Sequence, residues 1–226
     1  MKINLLLILV ILPASSISQT TVRPNFALKS HETLEIRKIE TTPSATLFYM
    51  SVENRVSGGY FCADRNTYII YPDGERVKLV SSGGIPVCPD TYKFRLIGER
   101  LDFILTFPSL KPGVRWLDLV EECPDNCYSF YRIIPDAGIN ALIDDAYAPA
   151  EKGEPSLALD RFIKLARERG SDNKGYGGIL YLNIIKLAEE TGNKRVASDW
   201  YGRLVSSGIP ELDLFLKHLS SLGIRY

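Results

Sequence analysis

Histidine is nearly missing: His31 and His218 are the only two in 226 residues. A Ser/His/Asp or Cys/His nucleophile would have to use one of them, and neither stands near a candidate nucleophile motif. No GxSxG, HExxH, P-loop or dinucleotide glycine fingerprint occurs, so the commonest hydrolytic and nucleotide-dependent chemistries have no motif here. The chain also lacks an excess of either charge. Its 27 Lys and Arg balance 27 Asp and Glu, and neither half carries a basic run. Nucleic acid and anionic membrane surfaces are therefore poor partners for the chain as a whole. Beyond the first dozen residues no stretch is apolar enough to span a bilayer. No cofactor is expected.

What is present begins with MKINLLLILVILPASSISQT. Lys2, an apolar run over 5–12, and the small residues Ser16 and Ser18 predict a secretory signal peptide over 1–18, with Gln19 as the first mature residue. The apolar run stops at Pro13, short of the roughly 20 residues a spanning helix needs. The expectation is a protein exported to a periplasm or secreted. Cys62, Cys88, Cys123 and Cys127 all fall before residue 136, and an even count in an exported chain suggests disulfides. Three pairings are open. Cys62 with Cys88 and Cys123 with Cys127 is favoured, because Pro124-Asp125-Asn126 is a turn that can bring the last two together. A four-thiolate zinc site would want CxxC pairs, which are absent.

Over 101–122 (LDFILTFPSLKPGVRWLDLVEE), Leu101, Phe103, Leu105 and Phe107 alternate with Asp102, Ile104 and Thr106, the periodicity of a strand. Lys111-Pro112-Gly113 reads as a turn leading to a second strand with Leu117 and Leu119 on one face, so the segment predicts a central hairpin. Phe48, Met50 and Val52 share the face of another strand. Residues 67–71 and 76–80 predict a hairpin across Pro72-Asp73-Gly74-Glu75. A polar lead-in over 20–30 and an irregular crossing over 81–89 complete the half. About eight short strands with regular turn signals fit an antiparallel sandwich over 20–135. This pattern resembles the immunoglobulin-like sandwiches of exported bacterial proteins, without the Cys…Trp…Cys arrangement of antibody domains. The resemblance implies an architecture and no catalytic residues.

After Pro135 the apolar spacing becomes helical. Stripes starting at Ile139, over 154–169, over 176–190, over 194–205 and over 211–222 predict five helices, with Gly153-Glu154-Pro155 and Thr191-Gly192-Asn193 as breaks. Gly153 and Gly192, Ala158 and Ala197, Phe162 and Tyr201, and Leu165 and Leu204 stand at one constant offset. That regularity resembles tetratricopeptide-like or Sel1-like helical hairpins, although the period is longer than the usual 34 or so. It implies an all-α helical-repeat domain over 138–226, with the last helix as a cap.

Two groups of residues are candidates for a site. Asp118, Glu121, Glu122 and Asp125 could offer oxygens to Ca²⁺, or simply be a solvated strand end. Tyr176, Tyr181 and Trp200 on the repeat helices could line a groove, with Trp200 pointing about 100° away from Tyr201, the residue expected in the core. The sequence then predicts a non-enzymatic exported interaction or scaffold protein, binding another envelope or secreted protein through the helical repeats. The alternative is a glycan-binding or glycan-hydrolysing protein with its site between the two domains.

Overall fold

The structure, a computed structural model, describes residues 19–124, 126–169 and 176–226. The expected signal peptide and Asp125 of the acidic cluster lie outside the described residues. Among the described residues twelve strands come first and five helices follow. One sheet runs in the spatial order β1 (Gln19–Val22), β3 (Leu34–Thr41), β4 (Thr46–Glu53), β10 (Arg100–Phe107), β8 (Ser81–Gly83). A second runs β2 (Leu28–Lys29), β12 (Ser129–Ile133), β11 (Leu117–Glu121), β6 (Thr67–Ile70), β7 (Arg76–Lys78). β5 (Tyr60–Phe61) and β9 (Tyr92–Lys93) pair alone as a third. Every ladder in these sheets is antiparallel.

The alternation in β10 does what its period requires. Leu101, Phe103, Leu105 and Phe107 are buried and stand opposite Val52, Met50, Phe48 and Thr46 of β4. Side chains from the second sheet, among them Ile69, Leu117, Leu119, Phe130 and Ile133, join them in one buried cluster. Fully burying a side chain of this kind contributes about 1.5–3 kcal/mol, so this shared core holds the two larger sheets together. The β6–β7 hairpin forms across Asp73-Gly74, where Gly74 takes the φ of 83° that a side chain would resist.

The expected central hairpin does not form. β10 lies between β4 and β8, whereas β11 lies between β12 and β6 in the other sheet. The connection over 108–116 crosses from one sheet to the other, and two strands that feed opposite walls of one core show the same alternation as two that pair. The supposed lead-in contributes two strands, β1 and β2, one to each large sheet, and the supposed irregular crossing contributes the edge strand β8.

The helices are α1 (Ala137–Glu151), α2 (Pro155–Arg169), α3 (Gly177–Glu190), α4 (Lys194–Ser206) and α5 (Leu212–Ser221). Asp136 caps α1 by accepting from Ile139 N at 2.8 Å, and Asn193 caps α4 by accepting from Val196 N. Gly153 and Gly192 turn the chain at φ of 80° and 72°. The helices do not form a repeat domain. Stacked repeats are equivalent units that touch only their neighbours, yet α3 buries 11 of its 14 residues and α1 only four of 15. α3 is a central helix that α2 and α4 flank, with Phe215 of α5 against it at Gly178. The constant offset reflects two helical hairpins with similar turns and similar close-packed Ala residues. The helical core also takes in Leu28, Trp116 and Ile134 from the strand half. The fold is thus corrected from an immunoglobulin-like sandwich of about eight strands plus helical repeats. It is twelve strands in three antiparallel sheets followed by five helices of 10 to 15 residues.

Candidate functional site

Two of the aromatic residues singled out on the helices, Trp200 and Tyr181, are packed into the helical core. Trp200 is 7% exposed and Tyr181 8%, and their ring centroids lie 5.2 Å apart. Ala197, Trp200 and Leu204 form the buried stripe of α4, and the Arg203 guanidinium covers the Trp200 ring at 4.8 Å. Tyr201 is the half-buried neighbour, edge-on to Tyr226. The roles expected for Trp200 and Tyr201 are therefore exchanged: the stripe steps by three and then four from Ala197, and that passes through Trp200. Tyr176 is half-buried at the entry to α3.

The acidic cluster disperses in the same way. Asp118 is buried and accepts from Arg132 N at 2.7 Å, while Glu121 accepts from Asp64 N at 2.8 Å and from Tyr128 N at 3.3 Å. Glu122 reaches Arg76 on the opposite side, at 2.5 Å. Among the described residues no group of three or more His, Cys, Asp or Glu is placed to hold a metal. Both disulfides are formed, Cys62–Cys88 with Cα atoms 5.3 Å apart and Cys123–Cys127 at 5.5 Å. No described helix is long and apolar enough to cross a membrane.

A cleft of about 700 Å³ opens where the first sheet meets the helices. The 23–29 segment and the outer face of β3 form one wall; α1 and α3 form the other. Arg23, Lys29, Arg37 and Lys186 line it against a single carboxylate, Glu35. Glu35 is already engaged by Arg37 at 3.1 Å. Lys29 donates to the carbonyls of Glu32 and Leu34 at 2.7 and 3.1 Å, and burial pulls its pKa below the usual lysine range. Arg23 and Lys186 have no carboxylate partner among the described residues. Arg23 is also held at a φ of 45°, with its backbone N donating to Arg37 O at 2.9 Å. Backbone strain of this kind persists only where surrounding structure enforces it.

Hydrogen bonds fix the cleft's geometry. Asn140 of α1 accepts from Asn25 N at 2.6 Å and from Asn25 Nδ2 at 3.0 Å, and its own amide donates to the Ile134 and Asp136 carbonyls at 2.7 Å each. Asn25 Nδ2 also reaches Asp144 at 2.8 Å. On the helical wall the Tyr147 hydroxyl donates to Asn183 Oδ1, and burial pushes that hydroxyl well above its ordinary pKa. Phe26, Leu182 and the Tyr147 ring supply apolar surface between the charges. The arrangement suits an anionic ligand: cations on both walls and a wall-to-wall clamp.

Sequence reasoning passed over Arg23, Asn25 and Lys186. One signal was present for the last. Within 179–188 only Asn183 and Lys186 break an otherwise apolar run, and a polar pair three residues apart on an otherwise apolar helix marks the face turned to the cleft. No protein-family model, no characterised protein and no solved structure matches the chain, so what the cleft binds must be read from its own residues.

Proposed function

We propose that this is an exported, non-enzymatic binding protein that captures an acidic segment of another envelope or secreted protein in the junction cleft. The observation that carries this reading is the imbalance of four cations against one carboxylate, with Arg23 and Lys186 unpaired on facing walls. Unpaired cations in a concave site concentrate the field on an incoming anion and speed its association. The apolar surface of Phe26 and Tyr147 between them suits the side chains that alternate with carboxylates along an extended segment. Two disulfides support a periplasmic or secreted setting.

The test is a fluorescent oligo-glutamate peptide titrated into the protein and followed by anisotropy, with an oligo-lysine peptide as control. The acidic peptide is expected to bind with an affinity that falls as salt rises. Arg23→Glu combined with Lys186→Glu should weaken it by about tenfold or more, equivalent to about 1.4 kcal/mol. Both side chains are exposed, so circular dichroism should be unchanged. Equal binding by the charge-reversed protein, or no binding by the wild type, overturns the proposal.

A further inference from the structure

At one end of the strand half, two adjoining hollows of about 500 and 490 Å³ meet at Tyr60, Phe61 and Asn126. They share no residue with the junction cleft. The first is walled by both disulfides, so its shape is fixed covalently on two sides. Phe61 is held in place by the rings of Phe103 and Tyr128, at centroid distances of 5.9 and 6.1 Å. Tyr60, in contrast, is 66% exposed and stands on the ridge between the hollows. A large ring left in water beside a preformed hollow has no packing role to explain it.

Around that ring stand acceptors. Asp64 uses Oδ1 to accept from Asn66 N at 2.7 Å, and among the described residues nothing donates to Oδ2. The Thr91 hydroxyl lines the same hollow with no hydrogen bond to the described residues, and Glu121 lies at its base. Burial pushes the Glu121 carboxyl up to about 7, against the pull of its two backbone donors. The second hollow adds Thr33, His31 and Glu53, with His31 Nε2 donating to Asn126 O at 3.2 Å. Its one cation, Arg55, faces Glu53 at 3.7 Å and Glu32 at 3.8 Å.

We infer that this groove binds a neutral oligosaccharide across the Tyr60 ring, one sugar unit in each hollow. A pyranose presents C–H groups on one face, which pack on an aromatic ring, and hydroxyls round its edge, which donate to carboxylate and hydroxyl oxygens. Tyr60 supplies the first, and Asp64, Thr91 and Glu121 the second. The hollows are within the range of about 300–1,000 Å³ usual for small-ligand sites. An anionic ligand is disfavoured because the carboxylates outnumber the available cation. A purely apolar one is disfavoured because it would strip water from Asp64 and Thr91 without replacing the lost hydrogen bonds.

The experiment is calorimetric titration of the full chain with cellotriose, maltotriose and tri-N-acetylchitotriose, and with a uronic acid trisaccharide as the anionic comparison. At least one neutral trisaccharide should bind saturably and the anionic one more weakly. Tyr60→Ala and Asp64→Asn should each reduce that affinity roughly tenfold or more, with unchanged circular dichroism because both side chains are at the surface. The charge reversal at Arg23 and Lys186 should leave it unaffected, so a failure of the junction-cleft reading does not touch this one. The inference is overturned if no neutral trisaccharide binds, if binding survives Tyr60→Ala, or if the uronic acid trisaccharide is preferred.

Discussion

Arg132 concentrates opposing demands in one side chain. It sits in β12 at a φ of 58°, its side chain is 4% exposed, and its guanidinium lies 3.5 Å from the centre of the Trp116 ring. One nitrogen donates to the Pro210 carbonyl at 3.1 Å and to Glu211 at 3.2 Å, so a strand of the second sheet is tied to the residues that open α5. A buried pair of this kind gains little over an apolar contact of the same volume, but removing one partner strands the other. Its value here is therefore in fixing where α5 docks. Trp200 is the opposite case, a residue whose worth is packing alone. Trp200→Ala would open a void beside Tyr181 and Leu204, and the expected loss is about 3–5 kcal/mol of unfolding free energy. Tyr201→Ala, at a half-buried ring, should cost clearly less. Urea denaturation of the two variants checks this, and equal losses would mean that the ring of Trp200 is not in the core.

At the scale of elements, the two disulfides hold segments that have few ladder bonds of their own. Cys62–Cys88 follows the two-residue strand β5 and closes a separation of 26 residues; Cys123–Cys127 closes a separation of four. Loop-closure entropy gives about 3.5 kcal/mol for the longer and about 2 for the shorter. Replacing each pair by Ser should lower the denaturation free energy in that order, and a larger loss from the short loop would show that chain entropy is not what the bridges supply. The ends of α2 to α5 were legible in the sequence to within two residues, helped by Gly153, Gly192 and Asn193, which are local signals for stopping and starting. Strand faces were legible for the same reason: alternation is local. Pairing was not. Whether β10 pairs with β11 or with β4 depends on which wall of the core each strand joins, and period two carries no information on that. The regular offset between Gly153 and Gly192 misled in a related way, since similar turns recur without the helices between them stacking as repeats. The junction cleft was the least visible, being assembled from Arg23, Arg37 and Lys186, which meet only after folding.

For the whole molecule, two buried clusters meet along a polar seam in which Thr21 donates to the Pro135 carbonyl, Asn25 is bound to Asn140, and Arg132 to Glu211. Asp118 lies behind that seam, with burial pushing its carboxyl up to about 7 from 3.8 against the pull of the Arg132 N–H and charge. Glu121 is likewise raised to about 7 from 4.5. A carboxyl whose pKa is higher in the folded state holds its proton longer there, so the folded chain binds more protons than the unfolded one between these limits. Its stabilising contribution is complete below the unfolded values and is lost as pH rises through about 7, at up to about 1.4 kcal/mol per pH unit for each group. The opposite sign applies to Glu53, Asp73 and Glu99, whose hydrogen-bonded partners hold them below the usual range, so that their contribution fades on the acid side. Stability should accordingly peak near pH 5, by about a unit either way, and decline toward pH 8. Asp118→Asn keeps an oxygen that can accept from Arg132 N while removing the titration, so it should flatten the decline without unfolding the protein. Urea midpoints measured across that range decide the matter: a wild type as stable at pH 8 as at pH 5 would mean that Asp118 and Glu121 ionise in the folded chain without penalty, and that the seam is wetter than its burial implies.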